Sequence, residues 1–560
     1  MVPFATIRCL IALSCAALPP GAAQAQSLSE RVAEHIRRRL EGTGSAAAVS
    51  LGGELVFAVE ALPSYYRRAG YRPAWSGDRG VLPRAFSLLE ALRGAEQEGL
   101  RAEDYHLERL ASALRDARSR QLSREPPDAE RLAELDLLLS DAFLVYASHL
   151  ALGRVNPETI HPEWKANRRG VDLTSALERV VAGDDPGAVL RELTPAQEEY
   201  ARLREALSRY LRLAAQGGWV PIEPGPPLGV GSRSARVAAL RARLEATGDL
   251  GDTAVADTDL FDEALASAVR RFQSRHGLEV NGRADSATIA ALNVPAEERA
   301  RQIALNLERW RWMPEELGSR YIVVNIAGFD LRVVEREETV LEMRVMVGRP
   351  YRRTPVFSDT VRYLVLSPYW HVPHNIAVQD ILPRIKRDPS YLTQQGFTVF
   401  EGWGPNARVV DPASVDWSKV TAANFPYRLR QDPGPLNALG RVKFMFPNKY
   451  NVYLHDTPSR ELFDRPERDF SSGCVRVEKP IELAEYLLAD PVQWSRERII
   501  AAIDRRVEQT VRLSRPIPIH IQYWTVWVAE DGTVHFRRDL YGRDQMLAAA
   551  LARSVAYAGS

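Results

Sequence analysis

The chain has 560 residues, more than one hydrophobic core usually supports, so several domains are expected. Lys and Arg number 73 against 72 Asp and Glu, a formal net charge of +1, and no basic block resembles a surface for nucleic acid or anionic membrane. That balance argues against nucleic acid as a partner, and the arginines, as in Arg236-Val237-Ala238-Ala239-Leu240-Arg241, fall where a solvated helix face places them.

Residues 1–25 read as an export signal. Arg8 supplies the positive charge, Cys9 to Leu18 the apolar run, and Ala23-Gln24-Ala25 the small-residue cleavage site. The run is too short to span a bilayer and no later stretch approaches the apolar length required, so the mature chain is expected to be soluble, with no membrane span. A lipoprotein reading through Cys15 is disfavoured, because Ala12 stands three residues before it and the apolar run would be cut in half. The leader takes Cys9 and Cys15, leaving Cys474 alone. A lone thiol in an exported protein forms no intramolecular disulfide. It is either a buried small hydrophobe or a reactive group.

Residues 26–215 carry helical periodicity, as in Leu132, Leu135, Leu138, Leu139, Ala142, Phe143 and Tyr146, and predict a helical scaffold domain without visible chemistry. Asp104 and Asp185 stand at helix-start signals and read as caps. His106, His149 and His161 lack metal-ligand spacing and read as structural.

A Gly/Pro-rich stretch, Gln216 to Pro227, marks a linker. Residues 228–296 then predict three short helices, Arg236 to Leu244, Phe261 to His276 and Ser286 to Leu292, with Gly277 ending the second and Asn281-Gly282 making a turn. The order Ala268-Val269-Arg270-Arg271-Phe272-Gln273, Gly277-Leu278, Asn281-Gly282, Thr288-Ile289-Ala290-Ala291-Leu292-Asn293 resembles the three-helix peptidoglycan-binding domain of cell-wall enzymes. Plain helix packing explains the same apolar positions.

After a helical connector, Ala296 to Trp312, the periodicity becomes that of strands: Tyr321 to Ile326, Phe329 to Val334, Val340 to Val347 and Tyr363 to Leu366. Residues 319–507 therefore predict an antiparallel sheet domain with a helix from Pro480 to Leu488. Within it, residues 381–435 are rich in Pro, Gly, Asp and Trp and too long for a hairpin, and read as an inserted lid without a core of its own. The C-terminal segment 508–560 is expected to add one more strand pair. The fold class is multi-domain α+β.

A cysteine attacks acyl carbons as its thiolate, so it needs an imidazole in reach, a group orienting that imidazole, and donors for the oxyanion. His455 ends a predicted strand nineteen residues before Cys474, and the Gly473 and Cys474 N–H groups are the oxyanion candidates. The orienting group is open between a carboxylate and a backbone carbonyl; the Asp456 side chain points to the opposite strand face, which favours its main-chain carbonyl. His371 and His374 are separated by Pro373, against a shared metal face. Asp388, Asp411, Asp416 and Asp432 raise the rival of a carboxylate pair for sugar hydrolysis, yet three of them precede proline as turn residues do.

His455-Asp456-Thr457 and Ser471-Ser472-Gly473-Cys474-Val475-Arg476 resemble the signature of the L,D-transpeptidase (YkuD-type) catalytic domain, with Asp456 and Ser472 in place of the usual Gly and His. Pro368-Tyr369-Trp370-His371-Val372-Pro373, Asn437-Ala438-Leu439-Gly440-Arg441-Val442-Lys443-Phe444 and Phe446-Pro447-Asn448 look like the same family. With the scaffold and binding domains, the whole resembles its large multi-domain Gram-negative type. The resemblance implies a periplasmic enzyme with Cys474 as nucleophile and His455 as general base. The Asp456 carbonyl orients the ring, the backbone N–H groups of Gly473 and Cys474 are oxyanion donors, and Arg476, Tyr453, Ser472 and Ser471 are candidate substrate contacts. It implies peptidoglycan tetrapeptide stems as the partner, beside other cell-wall synthesis proteins, carbapenems as inhibitors, and neither cofactor nor metal. Rivals are a carboxypeptidase, an exchange or lipoprotein-linking enzyme of the same chemistry, and a non-catalytic wall-binding scaffold. For Arg476 a loop-holding salt bridge, and for Tyr453 simple packing, stand as equal readings.

Overall fold

The computed structural model describes residues 26–41, 50–51, 54–164, 169–251, 257–402 and 404–553. The expected export signal and Trp403 lie outside them.

The helical domain is built around Ala129–Leu152, a 24-residue helix with almost every side chain buried. By length and composition it is apolar enough to cross a membrane, contrary to the sequence expectation, but here it is wrapped by protein. Its buried carboxylates are satisfied: Asp136 accepts from Tyr66 Oη (2.7 Å) and from the N–H groups of Ala74 (2.7 Å) and Trp75 (2.9 Å), while Asp141 accepts from Ala58 N–H at 2.7 Å and faces His106 Nε2 at 3.1 Å. Asp185 caps Pro186–Glu192 by accepting from Ala188 N–H (2.9 Å). Asp104 is no cap. It pairs with Arg101 and Arg154.

The binding-module helices are Ala235–Ala246, Glu263–Arg275 and Ser286–Leu292, closed on Leu240, Leu244, Leu265, Val269 and Phe272. The connector helix Ala296–Arg311 packs against Glu198–Ala215 of the helical domain and against the hairpin Val526–Val528/Val534–Phe536.

Eight strands close a barrel: β1 (Arg320–Asn325), β2 (Asp330–Glu335), β3 (Glu338–Met346), β4 (Phe357–Leu366), β5 (Val442–Met445), β6 (Leu454–His455), β7 (Val475–Val477) and β8 (Gln509–Gln522). Their order is β5-β6-β7-β3-β2-β1-β8-β4, with β4 pairing back to β5. Two expectations are corrected here. The sheet is mixed, because β6–β7 and β1–β8 are parallel, and it runs past residue 507, because β8 pairs with both β1 and β4. The period-2 pattern sorts the faces: Ile322 and Val324 enter the barrel core while Val323 turns outward onto the connector-helix cluster. The helix Pro480–Leu488 forms where expected and packs Leu483, Ala484 and Leu487 on the core.

The insertion is also corrected. It opens at Trp370, earlier than expected, and folds as a four-stranded sheet in the order 408–410, 397–401, 427–431, 370–371 with short helices between 374 and 394. It has its own apolar cluster, including Ile381, Ile385, Leu392, Val399, Trp417 and Leu429. Val399 and Leu429, directly opposed in this sheet, show no exposed surface. The strand alternation was hidden by the Gly, Pro and Asp residues of its turns.

Candidate active site

The parallel pairing of β6 with β7 sets Leu454 beside Val475 and His455 beside Arg476. Val475 donates its N–H to the Tyr453 carbonyl at 3.1 Å, so Cys474, one residue before β7, lies alongside Tyr453. On the other side of β6, Lys443 of β5 is the antiparallel partner of His455. Alternation then puts Leu454, Val475, Val442 and Phe444 into the core, all without exposed surface. Tyr453, His455, Cys474, Arg476 and Lys443 share the opposite face. On that face the rings of Tyr453 and His455 are 5.7 Å apart, and Lys443 Nζ stands 4.0 Å above the Tyr453 ring.

His455 is 5% exposed, and its Nδ1 lies 2.6 Å from the main-chain carbonyl of Asp456. A carbonyl only accepts, so Nδ1 carries the proton and Nε2 is left as the base. Burial, and then the nearby Arg476, press the imidazole pKa down to about 3. The Asp456 carboxylate points elsewhere: Oδ2 accepts from Arg441 N–H (2.9 Å) and Nε (3.1 Å), and Oδ1 from Arg460 Nη1 (3.2 Å).

Cys474 is half-buried, and burial raises its thiol pKa against the opposing pull of Tyr453, Lys443 and Arg476. Sγ donates to the Asn451 carbonyl at 3.8 Å and is also faced by the N–H and hydroxyl of Tyr453; it makes no hydrogen bond to the imidazole. The resting pair is therefore neutral thiol and neutral imidazole. Lys443 and Arg476 are both lowered by burial. Arg476 has no carboxylate partner among the described residues, and its buried Nε is without a hydrogen bond, so the expectation of a loop-holding salt bridge is overturned.

The loop before Cys474 differs from expectation in two residues. Gly473, at φ +116°, donates its N–H to Ser471 Oγ at 3.1 Å and so does not present it to an oxyanion. Ser471 is buried, donates from Oγ to the Cys474 carbonyl, and pairs with Gly348; it braces the loop instead of lining the cleft. Ser472 is exposed and accepts from Arg352 Nη1 at 2.9 Å. The same guanidinium holds Asp380, and Gln379 at 2.7 Å, both in the inserted subdomain.

Lys443, Asn451, Thr354 and Arg352 were missed from sequence. Only Lys443 left a signal, as the charged residue between Val442 and Phe444 in a strand register opposite His455. Among the distractors, His371 pairs across from Arg430 in the inserted sheet and His374 packs edge-on against Phe425 at 5.9 Å. Asp388, Asp411 and Asp416 accept from N–H groups two residues on, at 3.0, 3.0 and 3.2 Å, as turn carboxylates.

Residues 319–495 match the model of the L,D-transpeptidase catalytic domain, residues 60–207 that of a scaffold domain, and residues 233–292 that of a peptidoglycan binding domain. The chain thus carries an L,D-transpeptidase catalytic domain behind a peptidoglycan-binding domain. A Haemophilus influenzae protein named as an L,D-transpeptidase is 37% identical over 246 residues, which are 44% of this chain and 48% of that protein. The match therefore spans about half the length of the curated relative. Among solved structures, an L,D-transpeptidase from Stackebrandtia nassauensis is 14% identical, covering 54% of this chain and 96% of its own, with a TM-score of 0.22. One from Mycobacterium smegmatis is 13% identical, covering 36% and 58%, with a TM-score of 0.17. Overlaps this low add nothing to the geometry of the site.

Proposed function

We propose that this chain is an exported, periplasmic L,D-transpeptidase that cross-links peptidoglycan. The observation that carries the reading is the single face shared by Cys474, His455, Tyr453 and the unpaired Arg476 at the parallel β6–β7 junction. The sulfur attacks the carbonyl following the L-centre of diaminopimelate in a tetrapeptide stem while His455 Nε2 takes the thiol proton. The carbonyl electron pair moves to oxygen. Collapse breaks the amide bond, the D-Ala amine leaves with the proton from the imidazolium, and a thioester remains. The side-chain amine of a second stem attacks the thioester, gives up a proton through the same imidazole, and returns the thiol, forming a 3→3 cross-link.

Because both partners are neutral at rest, the proton moves during attack, once the bound substrate displaces the thiol from the Asn451 carbonyl. Arg476 takes a stem carboxylate, the anion its buried guanidinium lacks. Incubation with disaccharide-tetrapeptide followed by mass analysis tests the reading: a dimer supports it, tripeptide alone means a carboxypeptidase, and unchanged substrate means a wall-binding scaffold.

A further inference from the structure

Thr354 lies in the loop between β3 and β4 and has no exposed surface. Its Oγ1 accepts from the Gly348 N–H at 2.9 Å and donates to the Gly473 carbonyl at 2.9 Å. A hydroxyl has one proton, so that proton is committed to Gly473. Tyr541 holds the same loop from behind, donating to the Gly348 carbonyl and accepting from Thr354 N–H at 3.2 Å.

The peptide that Thr354 grips joins Gly473 to Cys474. It is trans, and a trans peptide points its carbonyl and the following N–H to opposite sides. Pinning the carbonyl therefore fixes where the Cys474 N–H points. The other main-chain groups of this pair are committed: Gly473 N–H and the Cys474 carbonyl both bond to Ser471 Oγ. Among the described residues the Cys474 N–H has no partner. Of the groups of this peptide, the Gly473 carbonyl is held by Thr354 Oγ1. A Cβ there would meet only main-chain carbonyls at 3.6 and 3.9 Å, and a glycine rotates freely.

We infer that Thr354 is the positioning residue of the oxyanion donor: its hydroxyl holds the Gly473–Cys474 peptide so that the Cys474 N–H meets the substrate oxygen. This rests on the transpeptidase reading, in which a sulfur–carbon bond forms and the carbonyl electron pair moves to that oxygen. The donor is then placed before the charge develops.

The test compares two reactions of the same sulfur in the full chain. Acylation by disaccharide-tetrapeptide, followed by quenched intact mass, develops an oxyanion. Alkylation by iodoacetamide displaces iodide at a saturated carbon and develops none. Thr354→Val is expected to slow acylation at least tenfold, towards the ~100-fold cost of losing an oxyanion donor, with alkylation unchanged. Thr354→Ser, which keeps the hydroxyl, restores most of the acylation rate. Wild-type acylation in Thr354→Val, an equal loss in Thr354→Ser, or parallel loss of both reactions overturns the role of Thr354 alone. A wild-type chain that alkylates but never acylates overturns the transpeptidase reading, and this inference with it.

Discussion

The carboxyl carbon of Asp456 lies 2.5 Å from the point where a Cβ on Gly440 would stand. The histidine strand and the turn before β5 approach this closely only because residue 440 has no side chain, and Gly440 also sits at φ +61°. Asp456, which replaces the glycine usual after the histidine in the family it resembles, fills that space with a carboxylate held by Arg441 and Arg460. Its main-chain carbonyl is left to orient His455.

Asp456→Ala is accordingly expected to cost stability and not chemistry. It strips a buried acceptor from two half-exposed arginines, a loss of about 1–3 kcal/mol. The carbonyl beside His455 remains. Urea unfolding should show the loss, while the acylation rate of the folded protein changes little; a rate loss as deep as that of Cys474→Ala would make the carboxylate part of the mechanism.

Cys474→Ala should abolish turnover with the fold intact, because the change only trims a small half-buried side chain. His455→Gln should fall almost as far, since among the described residues no other buried imidazole shares the β6–β7 face. A carbapenem should add once to the wild-type mass and not at all to Cys474→Ala. Labelling of a serine would contradict the assignment of the nucleophile.

The depressed pKa of His455 makes a prediction about acid. With its folded pKa near 3, the imidazole stays a base well below neutrality, so acylation should be level from pH 7 to pH 5. A fall centred near pH 6.5 would mean that the ring titrates as if exposed. Stability behaves differently. Between about 6.5 and 3 the unfolded chain holds more protons than the folded one, so stability is complete above 6.5 and is lost as pH falls towards 3. His161 and His535, each lowered to about 4 by burial, add to the same slope. Denaturation midpoints at pH 7 and pH 5 measure the slope, and His455→Gln should flatten it in part.

Cys474 and His455, the proposed nucleophile and base, were legible as candidates in sequence because an isolated cysteine, a glycine before it and a strand-end histidine leave few other readings. The face they share was legible only in part: alternation places Tyr453 with His455, but no local pattern announces that β6 and β7 run parallel. Barrel closure was hidden for the same reason, since β8 pairs with strands more than a hundred residues away. Gly473 was misread because its N–H is free in sequence and bonded to Ser471 in space. The insertion was misread because its apolar residues, spread from Val372 to Leu429, form a core only when its four strands pair.

The binding module is seated firmly, which shapes its test. Arg275, paired with Asp249, reaches the Val534 carbonyl at 3.3 Å, Arg537 donates to the Arg275 carbonyl at 2.9 Å, and His276 stacks between Phe272 and Phe536. Deleting residues 228–296 uncovers the hairpin at 526–536, so a soluble peptide must serve as the internal reference. If the module holds wall material, activity on sacculi falls much further than activity on the peptide. Equal losses would make it a brace.

Arg352, in the loop between β3 and β4, ties the inserted subdomain to the loop before Cys474. Arg352 bonds Ser472, two residues before Cys474, and on its other edge Gln379 and Asp380. On the proposed function, a subdomain with its own core, tied to the loop at this point, is expected to cover the thioester and keep water from it. Arg352→Ala and Asp380→Asn each cut the tie, and both are expected to leave acylation while raising the ratio of hydrolysed tripeptide to cross-linked dimer. The chain enters and leaves the subdomain side by side, Trp370 and His371 pairing with Gln431 and Arg430, so a short Gly-Ser link can replace it without stretching the barrel. That shortened protein should acylate and hydrolyse. An unchanged ratio in a folded, acylating variant would reduce the subdomain to a static brace.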